Sequence, residues 1–113
     1  ALRELALSSA GRESQFAFYA ADTGVECALY WDRQKDIFDG TPVSFSCAGK
    51  NITPLQSGKK ASFTVNLAAA ADAPCALVEV DKANGTKIES RGRNECGEGD
   101  NPARVERAIR VRY

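Results

Sequence analysis

Four cysteines spread along a chain of 113 residues limit its possible folds more than any other feature of the sequence. Cys27, Cys47, Cys75 and Cys96 lie 20, 28 and 21 residues apart. Zinc sites and thioredoxin-like redox sites need closely spaced cysteine pairs, and this sequence has none. An even number of widely spaced cysteines in a small chain predicts two disulfides and therefore an oxidising compartment. Buried free thiols in a cytosolic protein are the alternative.

The composition narrows the possible classes of function. A length of 113 residues suits a single domain over residues 1–113. The 15 Lys and Arg residues balance the 15 Asp and Glu residues, which argues against nucleic acid as a partner. The chain has no His, so it lacks the commonest general base and the commonest metal ligand. It also has no Met, and we therefore expect that a leader or membrane segment upstream of Ala1 has been removed.

The N-terminal part predicts a long amphipathic helix over about residues 1–31, because it is rich in Ala and Leu and contains no Pro. At 100° per residue, its apolar side chains form two stripes on opposite sides. The stripe expected against the sheet contains Leu2, Leu5, Ser9, Phe16, Ala20, Thr23 and Cys27. The opposite stripe, expected to pack against a partner, contains Leu7, Phe18, Ala21, Val25 and Leu29. The alternative is that the loop at 33–41 folds over this second stripe.

After Asp36 the sequence becomes rich in turn residues and shows the alternation of apolar and polar residues that is typical of strands. The predicted strands cover about residues 42–48, 61–68, 75–81, 86–91 and 104–113. The fold class is therefore α+β, with the long helix packed on an antiparallel sheet of about four strands. A three-residue loop ending at Gly85 predicts a hairpin that sets Val80 opposite Ile88.

The predicted elements indicate how the cysteines pair, although three connectivities are possible. A bond between Cys27 and Cys47 would join the helix to the first strand. A bond between Cys75 and Cys96 would hold the Gly-rich loop at 92–103 beside the hairpin. Each bond would close a loop of about 20 residues, which stabilises a fold by roughly 3 kcal/mol on the chain-entropy model.

The residues predict no catalytic, cofactor-binding or metal-binding site. The serines have no His to activate them. A Ser–Lys pair could be formed by Lys59 or Lys60 near Ser57 or Ser62, but such pairs arise easily by chance in polar segments. Asp22 and Glu26 are one helical turn apart and are expected to be solvated. The segment 98–101 could offer oxygen ligands to Ca²⁺ but lacks the spacing of an EF-hand loop. We therefore expect that the protein is not an enzyme.

Residues 11–32, GRESQFAFYAADTGVECALYWD, are similar to a segment of a known family. They resemble the N-terminal region of PilX-like minor pilins and of related pseudopilins of type IV pilus and type II secretion systems. The positions that match the family pattern are Arg12, Gln15, Ala17, Phe18, Ala20, Ala21 and Gly24. Asp22 stands where the family usually has Glu, and Tyr19 stands where Gln is common.

The resemblance implies a type IV pilin-like fold and a structural role without catalysis or cofactor. In this interpretation the chain is a minor pilin or pseudopilin ectodomain at the cell surface, and other pilin subunits bind its N-terminal helix. Only the missing N-terminal segment contacts the membrane, where it anchors the subunit before assembly into a filament. The alternative is a secreted or surface-anchored binding module, an adhesin or inhibitor domain whose disulfide-linked loops bind a surface receptor or substrate.

Overall fold

Helix α1 (Ser9–Lys35) is the first element of the computed structural model, which describes residues 9–113. The helix continues four positions beyond the predicted end at residue 31. It ends where Asp36 adopts a left-handed backbone (φ 49°) and donates its N–H to the Asp32 carbonyl (3.0 Å). Arg33 and Lys35 lie in the last turn, where their positive charge stabilises the carbonyl end of the helix dipole.

Seven strands follow the helix within residues 9–113. They are β1 (Phe45–Cys47), β2 (Lys50–Ile52), β3 (Leu55–Ser57), β4 (Lys60–Asn66), β5 (Cys75–Asp81), β6 (Lys87–Arg93) and β7 (Glu106–Arg112). β1 and β2 form a separate hairpin, and β3 to β7 form one antiparallel sheet in chain order. The fold is thus α+β as predicted, but the sheet has five strands rather than about four. The prediction missed β2 and β3 because three residues are too few for alternation to be recognised.

The β5–β6 hairpin has the register expected from the sequence. Val80 pairs with Ile88, and Gly85 in the connecting loop has the positive φ (73°) that such a loop requires. β5 also has its predicted bounds. β6 continues to residue 93 rather than 91, and β7 begins two residues later than expected, at residue 106. The hairpin therefore forms the centre of the sheet on which α1 packs.

α1 packs on β5, β6 and β7 through a face of small residues. The buried members of this face are Ala17, Ala20, Ala21, Gly24 and Ala28. The backbones approach so closely that a Cβ built on Gly92 would lie 2.0 Å from the carbonyl oxygen of Ala17. A Cβ built on Gly24 would lie 2.3 Å from the Oγ of Ser90. Small side chains on both surfaces therefore determine the distance between the helix and the sheet.

This packing corrects the predicted orientation of the helix. Ala21 and Val25 were expected on the outward stripe but are 0% and 5% exposed, whereas Phe16, expected against the sheet, is 48% exposed. On a helical wheel with 100° per residue, the centre of the buried face lies roughly 80° around the helix axis from the centre of the predicted face. The prediction gave weight to large apolar side chains, but only small ones allow the backbones to come this close. The predicted positions that lie outside the described residues are Leu2, Leu5 and Leu7.

Beyond the small-residue face the core is aromatic. Phe38, Phe45 and Phe63 pack with their ring centroids 4.9 to 5.9 Å apart. Phe38 is fully buried, comes from the loop that follows α1, and belongs to the same core cluster as Val25. The segment after α1 therefore contributes to the core cluster that contains Val25, which favours the alternative that residues 33–41 fold over the second stripe.

Two disulfides, Cys27–Cys47 and Cys75–Cys96, join the elements in the pairing expected from the sequence. The first ties α1 to β1, and the second ties the start of β5 to the loop that follows β6. Their Cα atoms are 6.0 Å apart in both cases, which is an ordinary disulfide separation. No free cysteine is present among residues 9–113. Both bonds thus restrict the unfolded chain and stabilise the fold.

Candidate interaction surfaces

Large exposed aromatic side chains are concentrated in one turn of α1. Phe16, Phe18 and Tyr19 are 48%, 51% and 59% exposed, and we call these three residues the aromatic turn. The rings of Phe18 and Tyr19 lie edge to face with centroids 6.5 Å apart. The rings of Phe18 and Tyr19 remain accessible because Ala17 and Ala20 hold a different side of the helix against the sheet. Exposed aromatic groups of this kind are typical of protein interaction sites.

Of the outward stripe predicted from the sequence, Phe18 alone is largely exposed among the described residues. Leu29 is half-buried and packs against the core. Beside it, Tyr30 is 54% exposed and its ring lies edge to face with that of Trp31 (5.1 Å). The Trp31 indole N–H donates to the carbonyl of Ser46 (2.9 Å), which fixes the ring. A partner would therefore meet the aromatic turn and Tyr30 rather than a continuous aliphatic row.

A buried carboxylate fixes the C-terminal end of α1 to the sheet. Asp32 is 5% exposed and accepts hydrogen bonds from Lys82 Nζ (2.7 and 3.0 Å) and from the Tyr113 hydroxyl. Burial, together with the Asp32 carboxylate, raises the pKa of the Tyr113 hydroxyl well above its usual range. The Arg33 guanidinium lies over the Tyr113 ring, 5.5 Å from its centroid. Because every member has a partner, we interpret this group as a structural anchor.

Asn94 makes a second polar contact between α1 and the sheet. Its Nδ2 donates to Glu13 Oε2 (2.7 Å) and to the Ala103 carbonyl (3.1 Å). Its Oδ1 accepts from the N–H of Val105 (2.6 Å). A cavity of about 500 Å³ lies beside these groups. The Asn94 side chain is thus occupied in holding the helix to the loop between β6 and β7, and it offers little to a ligand.

The loop between β6 and β7 is organised by one ion pair. Arg104 lies 3.0 Å from Glu95 Oε2 and also donates to the Gly97 carbonyl (2.6 Å). The Arg104 hydrogen bond holds the pKa of the Glu95 carboxyl below its usual range. Asn101, within the segment considered for Ca²⁺, donates to Glu95 (3.1 Å). Among the described residues, His, Cys, Asp and Glu side chains do not form a group that could hold a metal ion.

A groove of about 710 Å³ lies on the sheet face opposite α1. Polar residues that line it include Asn51, Thr53, Thr64, Asn66, Glu79 and Arg91. Its apolar lining comes mainly from Leu77 and from Leu55, which is 77% exposed. This groove was not predicted from the sequence. The sequence shows that β4, β5 and β6 carry polar residues on the face away from the core. It does not show that the β2–β3 region borders the same space.

The side chains considered for catalysis do not form a site. Asp22 and Glu26 are exposed on α1, as expected for solvated carboxylates. Ser57 and Lys60 are register partners at the exposed end of the β3–β4 hairpin, where solvent surrounds both. No helix in the described part of the chain has the length and hydropathy needed to cross a membrane. The surfaces described above are the candidates for function.

Comparison with known proteins provides no relative from which function could be transferred. No family model, curated protein or solved structure matches the chain. The structure itself defines the chain as an α+β domain, in which a disulfide-linked helix packs through small residues on five antiparallel strands.

Proposed function

We propose that this protein is a structural subunit, a minor pilin or pseudopilin, of a type IV pilus or type II secretion-like filament. The observation that carries the proposal is the aromatic turn, which stays about half exposed on a helix whose opposite face is buried in its own domain. The resemblance of residues 11–32 to PilX-like proteins favours the same function. Packing against other pilin subunits through α1, rather than catalysis, is then the activity of the protein.

The aromatic turn offers enough surface to contribute to assembly. A large aromatic side chain buries about 150 to 250 Å² when it is fully covered. Covering the exposed half of each ring would remove roughly 100 Å² from water, and this contributes roughly 2.5 kcal/mol per ring at about 25 cal/mol per Å². Phe18 and Tyr19, whose rings lie edge to face, therefore form the centre of one helix–helix contact, with Tyr30 as an outlying contact. Phe16 lies about 160° around the helix from Phe18, so its ring would meet a different neighbour.

The same proposal places the domain at the cell surface, in a filament whose subunits are held in the membrane before assembly. The two disulfides support an oxidising compartment. Balanced positive and negative charges are compatible with a surface whose partners are proteins rather than nucleic acid.

Phe18→Glu tests the proposal, because it places a charge in the aromatic turn without touching the buried face of α1. We expect the variant to fold with an unchanged melting temperature but to be absent from filaments sheared from cells that lack the native gene. Asn84→Glu is the matched control, since it adds the same charge to an exposed position in the β5–β6 loop, outside α1, and should be incorporated normally.

Two results would contradict the proposal. Normal incorporation of Phe18→Glu would mean that the aromatic turn is not a subunit contact. Unfolding of Phe18→Glu would mean that the ring stabilises its own domain, and Tyr19→Glu, at the most exposed position of the turn, would then decide between the two roles.

The second candidate function is a secreted or surface-anchored binding module, and the groove opposite α1 favours it. The amide groups of Asn51 and Asn66 and the hydroxyl group of Thr64 line this sheet face and are suited to a polar ligand on a receptor or substrate. Thr64→Lys would fill the groove from an exposed position of β4. Binding of the chain to a cell-surface preparation that is lost in Thr64→Lys but kept in Phe18→Glu would support this second candidate.

A further inference from the structure

β7 lies at one edge of the five-stranded sheet and pairs with β6 on one side only. Within residues 9–113 no other strand pairs with its outer side. Glu106, Arg107, Ala108, Arg110 and Arg112 are all exposed. The Glu106 carbonyl accepts a hydrogen bond from the Arg107 guanidinium (2.9 Å). A free edge of seven residues is a template for the addition of another strand.

The hydrogen bonds at the two ends of the β6–β7 pairing show which backbone groups are free. Tyr113 and Thr86 exchange two backbone hydrogen bonds (2.9 and 2.8 Å), so every second residue of β7 from Tyr113 points its backbone groups toward β6. The hydrogen bond from the Asn94 N–H to the Val105 carbonyl (3.2 Å) continues this alternation at the other end. The residues whose N–H and carbonyl groups point outward are therefore Glu106, Ala108, Arg110 and Arg112.

We propose that a second copy of this chain adds its own β7 to this edge, antiparallel and related by a twofold axis at Ile109. The two sheets would become continuous, with both helices on the same face. The residue pairs in this register are Glu106 with Arg112, Arg107 with Val111, Ala108 with Arg110, and Ile109 with its counterpart. Every outward residue meets an outward residue of the other copy, so the outward backbone groups are satisfied once the Arg107 guanidinium releases the Glu106 carbonyl.

The charged side chains of β7 favour this register over registers with the twofold axis at another residue. It sets Glu106 opposite Arg112 of the other copy at both ends of the interface, and opposite charges at such positions stabilise strand pairs. With the axis at Arg107 or at Arg110, two copies of the same arginine would face each other. With the axis at Ala108, only five of the seven residues of β7 would be paired and Arg112 would have no partner. The register at Ile109 pairs all seven residues without opposing two arginines.

The ion pairs of the monomer leave Arg112 available, and in the dimer Glu106 would lie between Arg93 of its own chain and Arg112 of the other copy. Arg93 pairs with Glu106 (2.8 Å) and Glu89 pairs with Arg110, whereas Arg112 has no ion pair among the described residues. Ile109 is half-buried, and its counterpart would cover the exposed part on the helix side of the sheet. Because the aromatic turn takes no part in it, the dimer does not depend on the proposed filament function.

Sedimentation velocity on the 113-residue chain with both disulfides intact tests the proposal. The chain should show a reversible monomer–dimer equilibrium at concentrations up to about 1 mM. Glu106→Arg and Arg112→Glu each oppose like charges at both ends of the interface, so each variant alone should dimerise about tenfold more weakly or worse. An equimolar mixture of the two variants opposes Arg to Glu at both ends and should recover the dimer.

Two further variants make the result specific to the β7 edge. Ala108→Pro removes an N–H that β6 does not use, and it should abolish the dimer while the domain stays folded. Glu79→Arg makes the charge change of Glu106→Arg on an exposed position of β5 and should leave the dimer unchanged. The proposal is overturned if the chain stays monomeric up to about 1 mM. It is also overturned if the charge variants dimerise normally, if their mixture does not recover, or if Ala108→Pro unfolds.

Discussion

Replacing Gly24 by alanine should destabilise the domain, although the same change stabilises most exposed helices. The new Cβ would lie 2.3 Å from Ser90 Oγ, 2.8 Å from Val78 Cγ2 and 2.9 Å from Ala76 Cβ. Alanine gains about 1 kcal/mol over glycine in helix propensity. Overpacking a dense core costs about 1 to 3 kcal/mol, and more when the backbone must move. Since three contacts would be shorter than 3.0 Å, we expect a net loss of about 2 kcal/mol.

Ser90 provides the test of this reasoning. It is fully buried, and its Oγ has no hydrogen-bond partner within the described residues. Ser90→Ala removes both an unsatisfied hydroxyl and the atom nearest to the new Cβ, so alone it should be neutral or stabilise by up to about 1 kcal/mol. In the Ser90→Ala background, Gly24→Ala should cost less than it does alone, by about 0.5 kcal/mol or more.

Urea unfolding followed by circular dichroism measures the free energies of unfolding of the four proteins in this cycle. Gln15→Ala, on the exposed side of α1, is the control for helix propensity without a steric contact. The reasoning is refuted if Gly24→Ala stabilises the domain, because the helix would then not be in the close contact described. It is also refuted if the two substitutions are additive, because Ser90 Oγ would then not be the obstructing atom.

The remaining predictions concern the same helix–sheet packing, its anchor and the second disulfide. Gly92→Ala should lower the free energy of unfolding by about 3 kcal/mol or more in urea, because its Cβ would meet helix backbone atoms that cannot yield. Stability should decrease as the pH rises above about 10, where Tyr113 ionises in the unfolded chain, because the folded state raises this pKa and keeps the hydroxyl protonated against Asp32. Tyr113→Phe should reduce that decrease in a pH series of melting temperatures. Replacing Cys75 and Cys96 together by alanine should lower the free energy of unfolding by about 3 kcal/mol, measured by urea titration, since the bond spans 21 residues.

The parts of the fold that the sequence predicted well depend on local signals. The β5–β6 hairpin was correct in register because alternation on both sides of a loop ending at Gly85 specifies the pairing within a few residues. The expected disulfide pairing is also present, since each cysteine lies in or beside a recognisable element. By contrast, β2 and β3 are too short to give a periodic signal, and each is defined by its partner strand, β2 by β1 and β3 by β4.

The candidate sites were predicted less well because they depend on which elements meet. Phe18 was correctly placed on the outside of α1, whereas Ala21 and Val25 were not. A helical wheel shows that the helix is apolar on more than one side, but it does not show which side the sheet will accept. Ser90 and Gly92 on β6 decide this, and both lie far along the chain from the helix they contact.

The sequence by itself determined an α+β domain with one long helix, a central hairpin and two disulfides, because periodicity, turn residues and cysteine spacing are properties of short segments. Only the tertiary structure decided which face of the helix is buried, which aromatic side chains stay exposed, and which strand edge is free. The physical reason is that close packing is selected by the shape of both surfaces at once. At Gly24 and Gly92 that shape leaves no room for a single carbon atom.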